Sequence, residues 1–375
     1  MHFKLKLDNK IVGFAEASAR GGERIPLSVR DLLTPADGER LQSVLEEASN
    51  VFLPSHSPKV VESRIGDMIA VLHQNCEVDV FINEAKFMAK VQPKHGLTVG
   101  DLVLADTIAD VREVVLQNIE VPEDAGVFVV MSIGWRRGVF YDFEPLSTGV
   151  MRPAAALPLA LGSLWSRLLF QDRLRLTELD WSALIDDGWF PFIGLPMGRV
   201  KAMVSHLRAG WPMREQLPEI IQETRERIGS IRQLVIDSPL VANHRVVLQK
   251  ALDHFEANDH VSVVAMLYPR IEGILRDYPT TDPGNKQGKL VGRIANSVGP
   301  QPDGLLLPHR FSEYLKDHYF VDFDADAPKG VSRHTVSHGV APEADMDSKA
   351  SVLSVLIVEQ LMFLAGPSKL AVSIE

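Results

Sequence analysis

Cysteine is almost missing from this chain: among 375 residues there is one, Cys76. A lone thiol closes no internal disulfide, so nothing argues for an oxidising compartment. Also missing is a run of about 18 apolar residues free of charge, so no membrane span is expected. The opening Met1–Asp8 alternates apolar and charged residues, where a signal peptide carries about 7–15 apolar residues in a row. The expected compartment is therefore the cytoplasm. Basic excess is lacking too. There are 39 Lys and Arg against 49 Asp and Glu, a net charge of −10. A general nucleic-acid coat protein is basic. An acidic chain can hold nucleic acid only in a local basic cleft, with specificity set by the site.

What is present is an ordinary globular composition, 46% hydrophobic and 23% charged, long enough for two or three domains of roughly 100–200 residues. The pattern predicts an α+β protein in three parts: a mixed α+β region over 1–146, a helical connecting region over 147–238, and a helical bundle over 239–375. In the first part, period-two alternation in residues 3–7, the turn pair Asp8-Asn9 and the run 10–14 predict an opening hairpin. A helix is expected over 36–50 and a strand over 77–82. The apolar run 127–133, the turn Gly134–Gly138 and the run 139–143 predict a second hairpin. Helices are expected over 154–173, 197–209 and 214–235. The aromatic cluster Gly188–Phe192 reads as a packed corner between helices. Further helices are expected over 242–256, 260–277, 286–297, 308–318, about 330–339, and 348–365. The last has Asp347 or Ser348 as N-cap and Gly366-Pro367 as its stop. It is apolar nearly all round, the mark of a helix buried in a bundle or at a subunit interface.

Several motifs fall short of the chemistry they suggest. Gly284–Leu290 resembles a phosphate-binding loop but is one residue short, lacks the Ser or Thr that binds magnesium, and follows no apolar strand. What survives there is charge. Lys286, Lys289 and Arg293 fall at i, i+3 and i+7, as a solvated face or a phosphate-facing stripe. His334 and His338 are four apart, yet Thr335 stands where a zinc-protease motif has Glu, and no metal is expected. Asp142 and Glu144 read as structural charges of a hairpin.

The stretch that carries chemistry is Val331-Ser332-Arg333-His334-Thr335-Val336-Ser337-His338-Gly339. Residues five apart on a helix point about 140° apart, so Arg333 and His338 do not share a face of one regular helix. Upstream, residues 265–276 carry the apolar stripe Leu267, Ile271, Ile274 and Leu275, with Glu272 and Arg276 paired at i, i+4. Downstream comes the terminal apolar helix. This order, with Arg-x4-His followed by Gly, resembles the HEPN superfamily over about residues 240–366. His334 departs from the Asn or Asp that usually follows the Arg. The segment Gly188–Phe192 also looks like one that precedes such domains in bacterial proteins.

The resemblance implies a metal-independent endoribonuclease without cofactor, commonly a homodimer through this helical domain and often a toxin or defence protein. A restraining antitoxin or regulatory partner is left open. Residue chemistry agrees: histidine can move protons near neutral pH, and arginine offers a charged planar fork to phosphate. The expected roles are His338 as acid–base residue, Arg333 as phosphate clamp and His334 as a supporting polar group. Lys286, Lys289 and Arg293 are expected to hold flanking phosphates, and Glu272 and Arg276 to support the site. One copy supplies one such His, and two copies supply an acid and a base. Two alternatives stand beside this: a non-catalytic RNA- or nucleotide-binding module, and a structural protein whose last helix dimerises and whose Arg333 pairs with Glu272 or Glu343.

Overall fold

A computed structural model describes residues 1–53, 65–279, 287–295, 304–321 and 330–366. The chain is α+β and divides into two compact units, Met1–Val91 with Val111–Gln171, and Gln92–Asp110 with Asp172–Glu375.

The first unit contains, in chain order, β1 (His2–Lys6), β2 (Phe14–Ala15), β3 (Leu27–Ser28), β4 (Arg30–Leu33), α1 (Gly38–Phe52), β5 (Asp67–Leu72) and β6 (Glu77–Ile82). β7 (Phe87–Pro93) and β8 (Ile108–Leu116) form a ribbon that carries the chain into the second unit and back. Then come β9 (Gly126–Ile133), β10 (Arg136–Asp142), α2 (Glu144–Thr148) and α3 (Ala156–Leu169). The main sheet is antiparallel throughout, in the order β1-β6-β5-β9-β10-β4. β9 is apolar on both faces because both are covered. Phe128 and Val130 pack with Leu41, Val44, Ala48 and Phe52, the apolar stripe of α1. α3 packs on β9 and β10, with Leu161, Leu164 and Leu168 fully buried.

The expected opening hairpin does not form. β1 pairs instead with β6, Leu5 opposite Val78. Pairing there sets Phe3 and Leu5 against the core, and that burial outweighs the local turn signal at Asp8-Asn9. The second hairpin forms with a tighter turn than expected. Ile133 pairs with Arg136, so the loop is Gly134-Trp135 alone. Arg136 then lies in the strand, where its Nη1 donates to the Leu168 and Leu169 carbonyls at 2.9 and 3.3 Å, capping the end of α3. Asp142 is structural, as read. Burial works against its charge, but hydrogen bonds from Arg30 and Arg152, at 2.9 and 2.6 Å, hold its carboxyl below the usual range.

From α4 (Gln171–Leu174) onward the chain is helical: α5 (Glu178–Asp186), α6 (Met197–Arg208), α7 (Leu217–Glu226), α8 (Ile228–Asp237), α9 (Arg245–Glu256), α10 (His260–Asp277), α11 (Gln287–Ala295), α12 (Pro308–Tyr314) with a wider turn over Leu315–Tyr319, α13 (Arg333–Ser337) and α14 (Ser348–Ala365). The single helix expected over 214–235 breaks at Arg227 into α7 and α8, and the Arg227 guanidinium meets the buried Glu359 carboxylate at 2.5 Å. α14 begins at Asp347, whose Oδ1 accepts from the Ala350 amide at 2.9 Å. By length and composition it could cross a membrane, yet 83% of it is buried. It packs against α7, α8, α9 and α10 of its own unit. The Trp189, Phe190 and Phe192 rings are fully buried between α5 and α6 in sequence, with Phe190 against Phe311 and Tyr314.

Contacts group the chain into two compact units where the sequence reading has three parts. The α3 segment joins the sheet because its apolar face covers β9 and β10. The rest of the connecting region joins the terminal helices because α7 and α8 pack on α14.

Candidate functional site

α13 has five residues, too few to be stable by propensity alone, and both its ends are locked. The Ser332 hydroxyl accepts from the Thr335 amide at 3.3 Å, and the Thr335 hydroxyl accepts from the Ser332 amide at 2.9 Å. This is a reciprocal cap with Thr in the place of the usual Glu. At the other end the Val340 and Ala341 amides both donate to the Thr335 carbonyl, at 2.9 and 3.0 Å. Gly339 makes that reversal possible with φ +70°, a left-handed conformation that costs glycine little. Thr335 is fully buried, which fixes the helix to the bundle.

Arg333 is the first residue of α13 and turns inward to α10. Its Nε contacts the Glu272 carboxylate. Arg276 reaches the same carboxylate from one turn along α10, Nη2 to Oε1 2.5 Å. Glu272 is 5% exposed, so one buried carboxylate stands between two guanidiniums. The backbone at this point is also unusual. The Glu272 amide donates to the Tyr319 hydroxyl at 3.0 Å, and that hydroxyl donates to the Tyr268 carbonyl. Those two groups are the i and i−4 partners of a regular helical bond, so a side chain from the turn after α12 inserts into the α10 ladder where Glu272 begins. Burial pushes the Tyr319 phenol well up, so it remains a neutral donor.

His334 follows Arg333, and Arg333 Nη1 lies 3.3 Å from its Nδ1. His338 is exposed at the C-terminal cap. The two imidazoles lie on one side, 6.4 Å apart and 7° from parallel, as the i, i+4 spacing requires. Arg333 and His338 diverge, as the five-residue spacing predicts: one enters the bundle and the other faces solvent. Among the described residues, no three His, Cys, Asp or Glu side chains gather as a metal-binding set.

The expected phosphate stripe needs correction. Lys286 lies outside the described residues, and Lys289 is exposed. Arg293 is buried, and its Nη1 donates to the Leu275 and Arg276 carbonyls at 3.0 and 2.7 Å. It caps the end of α10. Its place three residues after Leu290 and one before Ile294 sets it on the face that α11 buries.

Sequence reasoning missed a neighbouring feature. Tyr319 and Val331 also wall a cavity of about 340 Å³, with His318, Asp345 and Lys349 at its polar positions. These residues belong to no recognisable motif. The one local signal was the Tyr314-x3-His318-Tyr319 cluster, which reads equally well as core.

No family model matches this chain, and neither a curated protein nor a solved structure does.

Proposed function

We propose that the second unit is a metal-independent endoribonuclease of the HEPN type, acting in the cytoplasm as a homodimer in a toxin or phage-defence role. The observation that carries this reading is the arrangement of α13: an exposed His338 and a polar neighbour His334 beside two guanidiniums that share one buried carboxylate. Glu272 balances only one of the two cations, which leaves one positive charge in this cluster to attract a phosphate.

Strand cleavage by the 2′-hydroxyl forms a new bond from that oxygen to phosphorus and breaks the bond to the 5′-oxygen. The products are a 2′,3′-cyclic phosphate and a free 5′-hydroxyl. A base must take the 2′ proton and an acid must give one to the leaving oxygen. His338 supplies one of these functions, and a second copy of the chain supplies the other. Arg333 stabilises the charge that develops on the phosphorane. Its Nε is anchored on Glu272, and its Nη2 has no partner among the described residues, which leaves an N–H edge for a phosphate oxygen.

The test is RNA cleavage by the purified chain and by Arg333→Ala and His338→Ala. Loss of a positioned general acid–base group costs about 10²–10⁴-fold. If both variants fold well and keep full activity, the site assignment is wrong. The Arg333–Glu272 pair favours a second reading, in which Arg333 is purely structural and the unit binds RNA or a nucleotide without cutting it. Mobility shift with all RNA recovered intact supports that reading.

A further inference from the structure

The cavity beside α13 carries polar groups that the motif does not use. Its volume, about 340 Å³, falls in the range of small-ligand pockets, roughly 300–1,000 Å³. Tyr268, Tyr314 and Tyr319 give it aromatic walls, and Leu353 contributes to an apolar floor. His318 lowers one side. Burial holds its imidazole below the ordinary range. Its Nε2 is buried and without a hydrogen-bond partner among the described residues. Lys349 donates to the Asp187 carbonyl at 2.6 Å and lies 5.4 Å from the Trp189 ring centroid, which leaves two of its N–H groups for other acceptors. A Cβ on Gly188 would lie 3.6 Å from Lys349 Nζ and 3.7 Å from His318 Nδ1. The two side chains therefore flank one point of the wall, kept open by a glycine at φ +74°. Asp345 and Asp347 complete the lining. Asp347 spends Oδ1 on the cap of α14, whereas the Asp345 carboxylate is exposed at the rim.

One ammonium and two carboxylates make a lining richer in acceptors than in donors. A phosphate is repelled by such a lining. A flat heteroaromatic ring with adjacent N–H donors and one acceptor fits it, and guanine has that edge: N1–H and the N2 amino group beside O6. We infer that this cavity is a guanine-binding site, with the base against the tyrosine wall, Asp345 accepting from N1–H and the N2 amino group, and Lys349 donating to O6. Adenine reverses the donor–acceptor order at that edge. Where the guanine belongs to an RNA strand, the inference rests on the ribonuclease reading above. Val331 walls the cavity and Ser332 caps α13, so an unpaired guanine there leaves its backbone near Arg333.

The test is binding of guanosine, inosine and adenosine to the full chain by calorimetry, with the rise in Tm under each nucleoside as a second readout. Guanosine is expected to bind on the order of 10-fold or more tightly than adenosine, the discrimination of one good bidentate base contact. Inosine, which lacks the N2 amino group, is expected to fall between. Asp345→Asn, at an exposed position that caps no helix, should abolish the guanosine–inosine difference, and Lys349→Met should weaken both. Equal affinity for guanosine and adenosine, or an unchanged preference in Asp345→Asn, overturns the inference. Two arms separate it from the ribonuclease reading. Guanosine binding without cleavage of guanine-containing RNA upholds the cavity for free nucleoside and removes the ribonuclease. Cleavage with no guanosine preference removes the cavity's role and leaves the ribonuclease standing.

Discussion

Replacing Arg333 with alanine separates its structural role from any catalytic one. The Glu272 side chain is 7% exposed and its two partners are 24% (Arg333) and 47% (Arg276) exposed. Removing the only partner of a buried charge costs about 3–5 kcal/mol. Here Arg276 stays on the carboxylate, so the loss should be nearer that of one hydrogen bond to a charged group, about 1.5–3 kcal/mol. At about 2–4 °C per kcal/mol for a unit of this size, Tm should fall by about 3–12 °C. Arg276→Ala should cost less, since that guanidinium is half in water. The double variant should cost more than the two singles added, because only then is Glu272 buried without a cation. His338→Ala should lie within about 0.5 kcal/mol of wild type, as exposed positions do. Urea denaturation of the four variants decides the matter. If Arg333→Ala is as stable as wild type, or His338→Ala is as unstable as Arg333→Ala, the ion pair does not hold α13 to α10 and the account of the site's support is wrong.

Three further outcomes are expected. Gly339→Val forces a β-branched residue into φ +70° and should destabilise by about 1–2 kcal/mol, with activity lost through disorder of His338, seen as a rise in KM and a fall in kcat together. Arg293→Ala uncaps α10 and should lower stability by about 1–2 kcal/mol while leaving the salt dependence of RNA affinity unchanged; a shallower salt slope would return Arg293 to the phosphate stripe. Burial pulls the Lys94 amine down to about 7, and Arg173 adds to the effect. Between that pH and the ordinary lysine range the unfolded chain binds the extra proton, so Lys94 makes stability rise with pH over about 7–10; below that window its burial cost is present in full and adds no pH dependence. Lys94→Met should remove up to about 1.4 kcal/mol per pH unit from that slope, measured by denaturation at pH 7, 8 and 9.

Where local chemistry decides, the elements were legible. β6, α10 and α14 lie where periodicity and caps place them, because each buries a face whose pattern is complete within the segment. β1 forms where its alternation places it, but its partner was misassigned, because that partner lies far along the chain and a turn pair says nothing about distant strands. α5 was overlooked although Thr177-x-x-Asp180 spells its cap, with the Thr177 hydroxyl 3.2 Å from the Asp180 amide. β5, fully buried from Met68 to Leu72, carries no alternation to mark it.

The site was legible in part. The Glu272–Arg276 pair follows from helix spacing, and the divergence of Arg333 from His338 follows from helix rotation. The contact of Arg333 with Glu272 was one of two pairings open in the sequence, since Glu343 served as well on paper. The insertion of Tyr319 into the α10 ladder was invisible, because it depends on the packing of two elements far apart in sequence. So was the inward turn of Arg293, where a charge that reads as solvated follows the apolar face of its helix to reach two carbonyls.

The most direct measurement is the chemistry of the RNA ends left by the purified chain in the presence of a metal chelator. The expected products are 2′,3′-cyclic phosphate and 5′-hydroxyl ends, formed at an undiminished rate with chelator and lost in His338→Ala. Intact RNA, ends carrying 3′-hydroxyl and 5′-phosphate, or cleavage that persists without His338 would contradict it.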